Sequence, residues 1–142
     1  MRLATAVVFV LMLTVHTPTR AAGETVIVAN PSSNISEFSE HEIRAIFLGK
    51  ITRLPNGKPI TVFIQEDGAA HADILHKILN KTDAEFMNHW ARRVYAGRSP
   101  PPLTLGSDAE VIDHVRQQDG GIGYVGKDAA LRSSLKIIYT IP

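Results

Sequence analysis

The chain contains no cysteine. Disulfide staples, thiolate zinc sites and cysteine nucleophiles are therefore excluded. Aromatic residues make up only 6%, with a single tryptophan, and the formal net charge is +1. Nothing in that balance calls for nucleic acid or an anionic membrane as a partner. No apolar run approaches the roughly 20 residues of a membrane-spanning helix. Catalytic signatures are missing too: there is no HExxH or HxxxH pair for a metal and no Gly-x-Ser-x-Gly turn. Gly120-Gly121-Ile122-Gly123 is too short for a dinucleotide fingerprint and precedes an apolar stretch instead of following one. A protein that is not an enzyme, with no cofactor and no metal, is expected.

What the sequence does have begins with a leader. Arg2 is followed by an apolar run, Ala4 to Val15, broken only by Thr5 and Thr14. Thr19 and Ala21 then fit the −3 and −1 positions of a secretory cleavage site; Ala21 and Gly23 offer a second option. Residues 1–21 are expected to be a signal peptide and 22–142 a single domain. The leader holds Arg2 and Arg20 and no acid. Taking those two from 15 Lys and Arg leaves 13 against 14 Asp and Glu, a charge of −1. Exported yet free of disulfides, the domain is expected in a bacterial periplasm, with no membrane anchor after cleavage. About 120 residues bury roughly two-thirds of their unfolded surface, enough for one core.

Local patterns alternate between strand and helix. Thr25 to Ala29 is continuously apolar and β-branched, a buried strand. Ser39 and Glu42 have the spacing of a capping box, with Ile43, Ile46 and Phe47 at helical spacing behind it and Gly49 as the stop. Ile60 to Ile64 is the second strand. A helix runs on from Ala69, and another opens at Thr82 with Glu85, its Phe86, Met87, Trp90 and Val94 assigned to the core. Gly97 to Pro102 crosses in extended form. Ser107 and Glu110 make a third capping box ahead of Val111, Ile112 and Val115. Ile122 to Val125 and Leu135 to Ile141 are the closing strands, with a short helix after Lys127. Such alternation builds an α/β sheet with helices on its faces.

The candidate site is the corner after the second strand. Asp67 and Gly68 end the strand and start a helix, gathering free backbone N–H groups at the positive end of the helix dipole. Oxyanions are held at such places without a cation, and the carboxyl ends of strands are where ligands sit in open α/β sheets. The bland alternative is that Asp67 caps the helix and Gly68 makes the turn. The histidines are expected at the surface, since His71 and His76 fall on different helix faces and no convergent set exists. Arg92, Arg93 and Arg98 are read as charge favourable to a helix C-terminus, with an anion or partner patch as the alternative.

Three segments in this order carry a family resemblance: IRAIFLGKI at Ile43 to Ile51, Asp67-Gly68 after an apolar strand, and GGIGYV at Gly120 to Val125. Together they resemble the phosphate-binding component of ABC phosphate importers, within the type II periplasmic binding protein superfamily. The likeness runs over roughly 38–138 and matches one lobe of the usual two. It implies a twisted sheet of about four or five strands with helices on both faces. It also implies ligand binding at Gln65, Asp67, Gly68, Ala69, Ala70 and His71. The family's arginine falls near Gln65 or Glu66 here, and its Ser-Gly-Thr becomes Ala69-Ala70-His71, so the cation and both hydroxyls are replaced. The partners implied are a small anion such as phosphate and an ABC permease or other envelope protein. The other reading is an interaction module that has lost its ligand, including a homodimer with two clefts face to face.

Overall fold

The structure, a computed structural model, describes residues 23–142; the signal-peptide reading lies outside them. Five strands form one sheet in the order β3-β2-β4-β1-β5. They are β1 Thr25–Ala29, β2 Thr61–Gln65, β3 Leu103–Leu105, β4 Gly121–Gly126 and β5 Lys136–Thr140. Strand β1 runs antiparallel to both β4 and β5, while β2 is parallel to β3 and β4. The helices are α1 Glu40–Phe47, α2 Ala69–Asp73, α3 Asp83–Tyr95, α4 Asp108–Gln117 and α5 Lys127–Leu131. Helix α2 continues without a break as a wider π turn, Ile74–Leu79, and stops at Asn80 in the left-handed conformation. No helix among the described residues is long and apolar enough to cross a membrane.

Every residue of β1 is buried, because both faces of the sheet are covered and successive side chains point to opposite faces. Ile27 and Ala29 join Ile64, Ile122, Tyr124 and Ile138 under α1, α2 and α3. Val26 and Val28 join Phe63 and Val125 under α4 and α5. Capping follows the sequence at two helices. Ser39 and Thr82 each accept the N3 amide, and Glu42 and Glu85 answer at the cap amide. The third differs. Ser107 accepts from the Glu110 N–H, but the Glu110 carboxylate turns back to the N–H of Gly106, at 2.6 Å. The capping box expected there is therefore half formed, because an open amide one residue earlier competes for the carboxylate.

Two further expectations are corrected. Met87 and Val94 do not enter the core; they are 50% and 43% exposed, and α3 buries only Phe86 and Trp90. The helix lies at the rim of the core, so a narrow stripe suffices. The extended crossing ends in a short edge strand, β3, that the proline run concealed.

The GGIGYV segment is a packing device. A Cβ on Gly120 would lie 1.9 Å from the carbonyl oxygen of Pro59, and one on Gly123 would lie 2.6 Å from Cγ1 of Val111. Helix α4 can approach β4 this closely only over bare backbone. Gly123→Val is expected to lower stability by about 1–3 kcal/mol through overpacking, read as a smaller midpoint in urea unfolding.

Candidate functional site

At the carboxyl ends of the parallel strands the chain leaves the sheet toward three helix starts. β2 leads to α2, β3 to α4 and β4 to α5. Between β2 and α2 lie Glu66, Asp67 and Gly68, all exposed, with Ala69 exposed as well. Gly68 takes φ +97°, ψ 178°, a backbone setting that suits glycine. The first intrahelical bond runs from the Ala72 N–H to the Gly68 carbonyl at 3.0 Å. No side chain caps this helix from Gly68, so the amides of the first turn are not claimed by a cap. A shallow pocket of about 260 Å3 lies here, lined by Gln65, Ala69, Ala70, Asp108, Lys127 and Arg132 among others.

The predicted residues divide into two groups. Asp67, Gly68 and Ala69 form the open corner; Gln65, Ala70 and His71 are buried behind it. The Gln65 amide nitrogen donates to Oδ1 of Asp108 at 2.6 Å and to the Tyr124 carbonyl at 3.0 Å. Oδ2 of Asp108 accepts the Gly126 N–H at 3.1 Å. Gln65 thus clamps β2, β4 and α4 together, and Asp108, which no sequence pattern singled out, completes the clamp. Its only sequence signal was its place as the first residue after the Ser107 cap.

His71 is 7% exposed and not at the surface as expected. Its Nδ1 lies 2.6 Å from the Tyr124 hydroxyl and its Nε2 lies 2.9 Å from Oδ1 of Asp83. A carboxylate only accepts, so Nε2 carries the proton. In the neutral ring Nδ1 then accepts from the Tyr124 hydroxyl, whose oxygen takes the Gln65 N–H at 2.8 Å. Burial pushes the Tyr124 phenol well above its ordinary range, and the Asp83 carboxylate adds to the push while the Gln65 hydrogen bond opposes it. The chain Gln65–Tyr124–His71–Asp83 ties β2, β4, α2 and α3 at one point.

Charge at the rim is mixed. Glu66, Asp67 and Asp108 bring carboxylates, Lys127 is paired with Glu24, and Arg132 lines the pocket. No group of three or more metal-ligating side chains converges among the described residues. Arg93 donates to the Gly49 carbonyl at 2.6 Å, so part of the arginine cluster is structural.

No protein-family model matches this sequence, and no curated protein does. Solved structures do match the fold. PstS from Borrelia burgdorferi superposes with a TM-score of 0.65 at 20% identity, over 82% of this chain and 46% of that one. A protein from Clostridium perfringens assigned as a phosphate ABC transporter substrate-binding protein, with bound phosphate, gives 0.63 at 15% identity, over 82% and 44%. An ABC-type phosphate transport receptor from Vibrio cholerae gives 0.56 at 15% identity, over 82% and 45%. The chain spans less than half the length of each. At these identities the likeness establishes the fold: a single α/β lobe of the kind these structures contain, as the resemblance implied.

Tyr124→Phe is expected to cost about 1–3 kcal/mol, because the Gln65 N–H and His71 Nδ1 lose a buried partner. The same residue sets a pH dependence. The unfolded phenol ionises near pH 10 while the buried one keeps its proton. This contribution to stability is full below pH 10 and is lost as pH rises above it. The urea midpoint of the parent chain should fall above about pH 10, and Tyr124→Phe should flatten that slope.

Proposed function

We propose that this chain is an exported, periplasmic solute-binding-type lobe that holds a small oxyanion, phosphate among the candidates, at the corner between β2 and α2. It would act with transport partners, an ABC permease or another envelope protein, and perform no catalysis. The observation that carries this reading is the open corner itself. Gly68 brings the helix start to the surface with no side-chain cap, at the sheet end where ligands collect. The solved neighbours named for phosphate transport support the solute class. The replaced cation matters for strength. Gln65 is neutral and committed to Asp108, and charge-assisted bonds are the strong ones in such a site. Affinity in the millimolar range follows, about 4 kcal/mol.

A second reading is an interaction module, and α3 favours it. Ala84, Met87, Ala91, Val94 and Tyr95 are all exposed, at spacings of three and four that place them on one helical stripe. A lobe without its complement could pair through that stripe with another envelope protein or a second copy.

Calorimetry with phosphate and sulfate separates the two. The first reading expects heat saturating in the millimolar range, lost in Gly68→Val, whose β-branched side chain resists a positive φ, with the circular-dichroism spectrum unchanged. No heat with either ion, together with a dimer in sedimentation that Met87→Glu dissociates, would replace it with the second.

A further inference from the structure

The other end of the sheet holds a better-formed cavity. Beside the starts of β2 and β3 a pocket of about 320 Å3 opens between the end of α1, the 50–60 loop and the proline crossing. That volume is at the lower end of small-molecule sites. Ile46, Ile60, Val62, Trp90 and Leu103 line it, with Pro100, Pro101 and Pro102 as one wall. The wall has no N–H to offer and a fixed φ. Trp90 is held rigidly: its indole N–H donates to the Phe47 carbonyl at 3.1 Å. Gly49 leaves its ring room, since a Cβ there would lie 2.6 Å from Cη2.

The charged lining is of one sign. Arg53 and Arg98 line the pocket, and no Asp or Glu does. Arg53 is spent in part on the Gly57 carbonyl, at 2.9 Å. The exposed Arg98 donates its backbone N–H to the Arg93 carbonyl. Its guanidinium has no hydrogen-bond or ion-pair partner among the described residues.

We propose that this pocket is a binding site for a small organic carboxylate with an apolar body, its ring or short chain against Trp90 and the prolines and its carboxylate on Arg98. A guanidinium fork matches a carboxylate in two parallel hydrogen bonds, and Trp90, Leu103 and the prolines give an organic body a contact surface that an inorganic oxyanion would leave unused. The site is separate from the corner between β2 and α2, at the opposite ends of the strands, and stands whether or not that corner binds phosphate.

Trp90 is the chain's single tryptophan, so its fluorescence reports on this pocket directly. The chain is titrated with benzoate and hexanoate, with benzyl alcohol and hexanol as neutral counterparts and phosphate as a control. The expected result is a saturable change in Trp90 emission with the acids, and weaker binding of the alcohols. Phosphate should neither produce the change nor compete with it. Arg98→Gln, at an exposed position, should weaken the acids roughly tenfold or more and leave the alcohols unchanged. The proposal is overturned if neither acid gives a saturable change, if the alcohols bind as tightly as the acids, or if R98Q binds benzoate as the parent does.

Discussion

A phenol buried at 0% exposure must have its hydroxyl satisfied, and the way Tyr124 does so organises the molecule. Tyr124 sits in β4, directly opposite Ile27 of the antiparallel strand. From there its hydroxyl meets the backbone of β2 through Gln65 and the side chain of His71 on α2. His71 passes the connection to Asp83 in the first turn of α3. Four elements that could otherwise slide against one another share one chain of donors and acceptors. Buried polar chains of this kind are costly when broken and specify one arrangement when complete. The angle at which β2 hands over to α2, and with it the aim of the amides beyond Gly68, rests on this connection.

Much of the fold is legible in the residues because the signals are local. Ser39 with Glu42 and Thr82 with Glu85 start their helices by reciprocal hydrogen bonds that need no tertiary help. TVIVA must be covered on both faces, so it announces a central strand. The features that escaped were set by distance in space. Met87 has the spacing of a core residue, but which of two apolar stripes on α3 meets the sheet is decided by where the helix docks. β3 is only three residues long and follows three prolines; its strand character comes from pairing with Phe63 to Gln65, not from its own composition. The burial of His71 required knowing that Tyr124 would reach it from 53 residues away.

GGIGYV illustrates how a motif can carry a resemblance while its physical cause lies in packing. Its glycines let α4 lie against β4 and let β4 pass the Pro59–Ile60 backbone. The close fit also brings Asp108 at the start of α4 within reach of Gln65 and Gly126. The helix that packs on these glycines therefore positions the carboxylate at the rim.

That carboxylate explains the chemistry of the corner. Asp108 uses one oxygen on the Gly126 amide and the other on the Gln65 side chain, so its negative charge is held in place by neutral donors. Glutamine has two side-chain N–H donors, and they go to protein acceptors, Asp108 and the Tyr124 carbonyl. The side chain is thus committed to holding β2, β4 and α4 together. The corner is left with backbone amides beside the Asp108 carboxylate, with Lys127 and Arg132 at the same rim. At the far end two arginines line an apolar pocket with no acid among them. Within this lobe the sheet thus separates a polar rim from an apolar cavity lined by two arginines.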